Sequence, residues 1–151
     1  MNTNEFVYVT YIAATPQKVW EALTSSEYTE KYFFGSSIQS HWQEGSEITY
    51  SRNGKVSDYG QILRCDPYRE LSFTWTYAGD GVQTKEPSKV TFRLISLNET
   101  VKLVLHHENL QPGDLVDKED TFEGLNNGWP AILSNLKSLL ETGRALPAIT
   151  I

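Results

Sequence analysis

The chain has 151 residues, of which 39% are hydrophobic and 12% aromatic, a composition that excludes an intrinsically disordered protein. Its formal net charge is −6 and no run of lysine or arginine occurs, so we do not expect a nucleic-acid partner. No apolar stretch approaches the roughly 20 residues of a membrane-spanning helix, and we expect no membrane span. A chain of this length can bury roughly 70% of its unfolded surface in one core. We therefore expect a single domain over residues 1–151.

The beginning of the chain predicts a strand followed by a helix. Residues 6–13 are rich in β-branched and aromatic residues, which is typical of a strand. Thr15 is placed to cap a helix over residues 16–24. Pro16 falls at the first helical position, where its missing N–H costs nothing.

A second short helix and a long C-terminal helix are also predicted. The second helix covers residues 27–33, with Thr24-x-x-Glu27 as its cap. The C-terminal helix has a capping-box pattern at Asp120-x-x-Glu123. Its helical spacing then continues through these apolar residues: Phe122, Leu125, Trp129, Ile132, Leu133, Leu136, Leu139 and Leu140.

Two punctuating residues of the C-terminal helix need separate interpretation. Pro130 either kinks the helix or marks a main helix that starts at Trp129. Gly143, followed by Pro147, is the predicted end of the helix. The segment is amphipathic in either case, so one of its faces should pack against the rest of the protein.

Between the helices the sequence predicts six strands, over residues 38–42, 47–52, 57–65, 71–77, 89–97 and 100–110. Asn53-Gly54 is the strongest hairpin signal, because a type I′ turn needs two positive φ angles. Clean alternation over residues 71–77 predicts that only one face of that strand is buried. Residues 78–89 are polar and predict a loop. The order of elements indicates an α+β fold with an antiparallel sheet wrapped around one helix.

The order and spacing of several short motifs resemble the START-like, or Bet v 1-like, helix-grip superfamily. Within it, the chain is similar to the bacterial branch related to the C-terminal domain of the Hsp90 ATPase activator Aha1. The motifs, spread over residues 6–143, are Ala14-Thr15-Pro16-x-x-Val19-Trp20-x-Ala22-Leu23-Thr24, Tyr32-Phe33-Phe34-Gly35, Trp42-x-x-Gly45, Asp66-Pro67-Tyr68-Arg69-Glu70-Leu71 leading to Trp75, and Gly128-Trp129 with Leu133-x-x-Leu136-x-x-Leu139.

The resemblance implies a helix-grip fold. In this fold a curved antiparallel sheet of six to seven strands surrounds the long C-terminal helix, two short helices follow the first strand, and a cavity lies between sheet and helix. Members of the superfamily include lipid carriers, polyketide cyclases and aromatases, hormone receptors and co-chaperone domains. The fold therefore leaves the function open.

Candidate ligand-binding residues follow from the resemblance together with strand alternation. They are mostly aromatic or aliphatic, as in most small-molecule sites. Plain core packing is the competing interpretation for each of them. Tyr50, Tyr59 and His107 are the candidate polar groups of the cavity. The full set is Phe33, Trp42, Tyr50, Tyr59, Trp75, Phe92, Leu103, His107, Trp129, Leu133 and Leu136.

The histidines do not predict a metal site. Neighbouring residues of a strand point to opposite faces, so His106 and His107 cannot bind one metal side by side. His107 should point inward, while His106 and Glu108 should face solvent. Nothing in the spacing brings His41 to them. The acidic residues between 114 and 123 lack a calcium-loop spacing.

Motifs for catalysis and nucleotide binding are also missing from the sequence. There is no Gly-x-Ser-x-Gly elbow and no glycine-rich phosphate loop, and we expect no cofactor. Cys65 is the only cysteine, which excludes an internal disulfide. Residues 1–5 show no secretory signal, so we expect a cytoplasmic protein.

Three functions remain open at this point. The leading hypothesis is binding, without catalysis, of a small hydrophobic molecule of aromatic, polyketide-like or lipid-like chemistry. The first alternative is an interaction module acting on an Hsp90-type ATPase, with a chaperone as its partner. The second is an enzyme of the cyclase or aromatase kind, with His107 as its acid–base group.

Overall fold

The protein is described by a computed structural model that covers residues 4–80 and 86–147. Its elements are β1 Phe6–Ile12, α1 Pro16–Thr24, α2 Ser26–Tyr32, β2 Ser37–Ser40, β3 Glu47–Arg52, β4 Lys55–Asp66, β5 Glu70–Tyr77, β6 Ser88–Leu97, β7 Thr100–Glu108 and α3 Leu125–Thr142. The predicted order of strands and helices is confirmed. Part of the loop predicted over residues 78–89, namely residues 81–85, lies outside the described residues. The same holds for residues 1–3 of the segment 1–5, for which the sequence predicts no secretory signal.

The strands form one curved, seven-stranded antiparallel sheet in the order β1-β7-β6-β5-β4-β3-β2. The predicted α+β helix-grip fold is confirmed. The core lies between the sheet and the buried face of α3, which presents Trp129, Ile132, Leu133 and Leu136. No described helix is long and apolar enough to cross a membrane.

Local signals fixed the ends of three elements correctly. The Oγ1 atom of Thr15 accepts a hydrogen bond from the backbone N–H of Lys18 at 3.1 Å, which caps α1. Asn53 and Gly54 have φ angles of 54° and 78°, as the predicted turn between β3 and β4 requires. Gly143 ends α3 with a φ of 81°, a left-handed conformation that costs glycine little.

Two predicted caps are wrong. Ser25 rather than Thr24 precedes α2, and the Thr24 hydroxyl instead donates to the carbonyl of Trp20 at 2.8 Å. Helix α3 begins after Gly124, whose φ of 85° turns the chain into the helix without a side-chain cap. The predicted capping box at residues 120–123 therefore lies outside the helix.

Three further expectations are corrected. Helix α3 does not start at Trp129, because Pro130 lies inside a helix that already begins at Leu125. The second strand ends at Ser40, before Trp42. Strand β5 is not buried on one face only: Ser72 on the other face is also buried, and its hydroxyl forms a hydrogen bond with that of Thr91 on β6, at 3.1 Å.

The C-terminal half of α3 contacts the backbone of the edge strand β1 and the residue that follows it. The Lys137 ammonium donates to the carbonyl of Tyr11. The Glu141 carboxylate accepts the backbone N–H of Ala13 at 2.8 Å. Lys137 and Glu141 also form an ion pair at 2.8 Å, which links the two side chains that contact β1 and Ala13.

Candidate functional site

A pocket of about 610 Å³ opens at one end of the interface between the sheet and α3. Neighbouring strands of an antiparallel sheet run in opposite directions, so β3, β5 and β7 end where β4 and β6 begin. The pocket lies at this end of the strands. The segment over residues 109–124 and the first turns of α3 form the opposite wall. The centre of the sheet–helix interface is packed core, so the pocket occupies one end of the expected cavity region.

Three aromatic rings form the inner wall of the pocket. The ring centroid of Trp129 lies 5.6 Å from that of Phe33 and 5.6 Å from that of Trp75. Trp129 is only 2% exposed and Phe33 7%, whereas Trp75 is half-buried. Trp75 therefore presents its ring to the pocket, while Trp129 is held mostly by the protein around it.

Two further aromatic side chains stand at the mouth of the pocket. Tyr77 is 53% exposed at the end of β5, and Phe122 is 42% exposed in the segment before α3. Exposed aromatic rings beside an aromatic inner wall extend the apolar surface that an entering molecule can contact. An aromatic inner wall together with polar side chains around it is compatible with a small-molecule site.

Asp58 supplies a buried carboxyl group to the pocket wall. It is 8% exposed, and its Oδ2 atom accepts a hydrogen bond from the Ser57 hydroxyl at 3.0 Å. Burial raises the pKa of Asp58 to about 6, against the opposing effects of Ser57, the positive charge of Arg52 and a hydrogen bond from the Trp75 side chain. The wall thus carries a titratable group close to neutral pH.

His107 lies directly behind the pocket wall and joins three residues of that wall. Its Nδ1 atom accepts the indole N–H of Trp129 at 3.0 Å, and its Nε2 atom lies 2.8 Å from the Ser88 hydroxyl. The Ser88 hydroxyl donates onward to the carbonyl of Trp75 at 3.0 Å. Because an indole N–H can only donate, Nδ1 carries no proton, and Nε2 is therefore the protonated nitrogen that donates to Ser88.

This hydrogen-bond chain requires the neutral imidazole. Burial, with a smaller contribution from His106, lowers the pKa of His107 to about 4. Both ring nitrogens are occupied by protein partners, and His107 does not line the pocket. The arrangement gives His107 a role in positioning Trp129 and Ser88.

The structure brings some of the candidate residues together at the pocket and leaves others elsewhere. Phe33, Trp75 and Trp129 line it. Tyr50 lies behind two of these rings, with centroids 4.9 Å from Phe33 and 5.0 Å from Trp75. The candidates that belong to the buried core away from the pocket surface are Phe92, Leu103, His107, Leu133 and Leu136.

The last two candidates lie away from the pocket. Trp42 packs against the edge of the core from the β2–β3 connection, and Tyr59 is 37% exposed because alternation along β4 turns it away from Asp58. Sequence reasoning missed Asp58 itself. Its spacing of four residues from the buried Ile62 was the available signal, since residues at even spacing share a strand face.

The remaining polar clusters do not add a metal site. Among residues 4–80 and 86–147, no group of three or more histidine, cysteine, aspartate or glutamate side chains could hold an ion. His106 instead contacts the carboxylates of Glu5 and Glu108 on the other face of the sheet. His106 and Glu108 are half-buried there, and the structure directs only His107 into the core.

Replacing Gly128 with alanine is expected to stabilise the protein by up to about 1 kcal/mol, because glycine is a poor residue inside a helix. Gly128 lies in α3 and lines the pocket, and an added Cβ would meet only the Phe122 carbonyl oxygen, at 3.6 Å. Urea denaturation would measure the change, with exposed Ser134→Ala in the same helix as the matched control. A clear loss of stability in the Gly128 variant but not in the Ser134 variant would contradict the open space that the structure shows beside Gly128.

Several solved structures share this fold. A protein from Cytophaga hutchinsonii is 29% identical, with a TM-score of 0.73 over 95% of this chain and 98% of that one. The Aha1 dimer from Colwellia psychrerythraea is 20% identical, with a TM-score of 0.73 over 93% and 98%. CalU16 from Micromonospora echinospora is 23% identical, with a TM-score of 0.70 over 93% and 78%. These last two similarities concern the fold alone.

No curated protein is similar enough in sequence to match the chain. One protein-family model does match, over residues 13–141, and it describes the Activator of Hsp90 ATPase homolog 1-like proteins. That match extends from the residue after β1 to the last turn of α3 and includes every described residue that lines the pocket. The chain belongs to the family of Activator of Hsp90 ATPase homolog 1-like proteins.

Proposed function

We propose that this protein binds a small aromatic or otherwise apolar molecule in the pocket beside α3, without transforming it. The observation that carries the proposal is the inner wall of Phe33, Trp75 and Trp129 in a pocket of about 610 Å³. A volume in this range suits a small organic molecule. The half-buried ring of Trp75 leaves aromatic surface that a flat ligand can cover.

Binding is favoured over catalysis by the state of His107. An acid–base catalyst must reach the proton that it transfers. Both nitrogens of His107 are engaged, by Trp129 and by Ser88, and the ring lies behind the pocket wall. A cyclase mechanism that uses His107 would first have to break this hydrogen-bond chain.

A ligand-observed NMR screen of flavonoids, polyketides, sterols, fatty acids and aromatic amines tests the proposal. Gly128→Leu serves as the blocking variant, because its side chain would enter the pocket, and Gly128→Ala serves as the matched control. We expect ligands that bind the native protein and the alanine variant at least about tenfold more tightly than the leucine variant. Absence of any ligand signal, or equal signals from all three proteins, would contradict the proposal.

A second candidate function is regulation of an Hsp90-type ATPase. The family match favours it, and so does the similarity in fold to an HSP90 activator from Plasmodium falciparum, at 19% identity and a TM-score of 0.71. Adding the purified protein to the Hsp90-type ATPase of the same organism should then change the ATPase rate. If the rate is unchanged at high protein concentration and the two proteins do not co-purify, this function is excluded.

A further inference from the structure

The side chains around the pocket carry an unequal balance of charge. Among the described residues that line it, four have carboxyl groups and one, Arg52, has a positive charge. The carboxyl groups are those of Asp58, Glu86, Asp114 and Glu123. A concave site lined by one sign of charge concentrates molecules of the opposite sign, since its low-dielectric walls focus the electric field.

The carboxyl groups of the pocket differ in their exposure to solvent. Glu86 and Glu123 are exposed at the mouth, whereas Asp58 is buried in the wall formed by the sheet. The Asp58 carboxylate receives hydrogen bonds from Ser57 and Trp75, which leaves part of its capacity of about four acceptor positions unused. A ligand that donates a hydrogen bond, and above all one that carries a positive charge, can use that remaining capacity.

Aromatic faces add to the same preference. A cation is attracted to the face of a tryptophan, tyrosine or phenylalanine ring when it lies within about 6 Å of the centroid. The pocket is lined by Trp75 and Trp129 and by the rings of Phe33, Phe34 and Phe122. Aromatic rings beside carboxylates are a combination that suits organic ammonium groups. An anionic ligand such as a fatty-acid carboxylate would be repelled by Glu86 and Glu123.

We infer that the ligand of this pocket is an aromatic molecule bearing a positively charged amine, with Asp58 as the partner of the ammonium group. This inference rests on the proposed binding function and specifies the ligand class. Arg52 limits the preference, since it is a positive charge near Asp58 on the same wall.

Three probes that share one ring system and differ in charge test this inference: naphthylmethylamine, naphthylmethanol and naphthoate. Their dissociation constants should be measured by NMR titration near pH 7.5, where the amine is protonated and the carboxylic acid ionised. We expect the amine to bind at least about tenfold more tightly than naphthoate, with the alcohol between them. Asp58→Asn should reduce the difference to about threefold or less, and Arg52→Gln should enlarge it.

Two further variants keep the test decisive if Asp58→Asn fails to fold. The double substitution Glu86→Gln with Glu123→Gln should also reduce the preference for the amine. Glu99→Gln removes one charge from the distant β6–β7 turn, as Asp58→Asn does from the pocket, and should leave the preference unchanged. If all three probes bind without a charge order, the charge inference is overturned while the proposed binding function stands. If none binds, both are overturned.

Discussion

Replacing Trp129 with leucine is expected to lower the free energy of unfolding by about 3–5 kcal/mol, the range for large truncations in a packed core. Trp129 is 2% exposed and its ring contacts those of Phe33, Trp75 and Phe92. The substitution would also leave Nδ1 of His107 buried without its donor, which adds to the loss. Urea denaturation followed by far-ultraviolet circular dichroism would measure it.

Trp75→Leu is the matched comparison, because its ring belongs to the same wall but is half-buried. Part of that ring has no protein neighbour to lose, so we expect a smaller stability loss of about 1–2 kcal/mol. Binding of a pocket ligand should nevertheless fall at least about tenfold. If Trp75→Leu unfolds the protein and Trp129→Leu does not, the ligand-facing wall has been assigned to the wrong residue.

The second large effect concerns the pH dependence of stability that arises from two buried groups, His107 and Asp58. The pKa of His107 lies at about 4 in the folded protein, below its ordinary value of 6.5, so folding favours the neutral ring. The stability that this contributes is fully present above pH 6.5 and is lost as the pH falls through about 4. The difference in pKa corresponds to about 3 kcal/mol, since each tenfold change in proton affinity is worth about 1.4 kcal/mol.

Asp58 acts in the opposite direction over nearly the same range. Its pKa of about 6 lies above the ordinary 3.8, so folding favours the protonated carboxyl group. The stability that this contributes is fully present below pH 3.8 and is lost as the pH rises through about 6, again about 3 kcal/mol. In the native protein, the gain at Asp58 on acidification therefore offsets the loss at His107.

Asp58→Asn should remove that compensation. We expect the unfolding free energy of the variant, relative to the native protein, to fall by about 3 kcal/mol between pH 7 and pH 4. His107→Gln should show the opposite relative change, and Glu99→Gln should show neither. Urea titrations at pH 7, 5.5 and 4 would measure all four proteins. Parallel stability curves for the native protein and the Asp58 variant would contradict the assigned pKa values.

The sequence predicted the fold well where structure depends on neighbouring residues. Thr15 with Pro16, Asn53 with Gly54, and Gly143 each act within one turn of the chain, so short patterns suffice to place them. Gly124 shows the limit of such patterns. Its positive φ starts α3 without a side-chain cap, whereas residues 120–123 have the form of a cap and lie outside the helix.

The site was less predictable because its partners are distant in the sequence. Trp129 lies 22 residues from His107, and Ser88 lies 19 residues from it. No local periodicity reveals that these three side chains share one hydrogen-bond chain. Asp58 was overlooked for a related reason: Trp75 and Arg52, which act on its carboxylate, belong to the neighbouring strands β5 and β3.

The contact between α3 and strand β1 bears on how the protein avoids aggregation. An outer strand of an open sheet offers unpaired backbone groups to any other extended chain. Here Lys137 and Glu141 form hydrogen bonds to backbone groups of Tyr11 and Ala13 along that edge, while Val7 and Tyr11 are about half exposed beside it. We therefore expect a chain truncated before Lys137 to lose both contacts and to associate with its copies through strand β1.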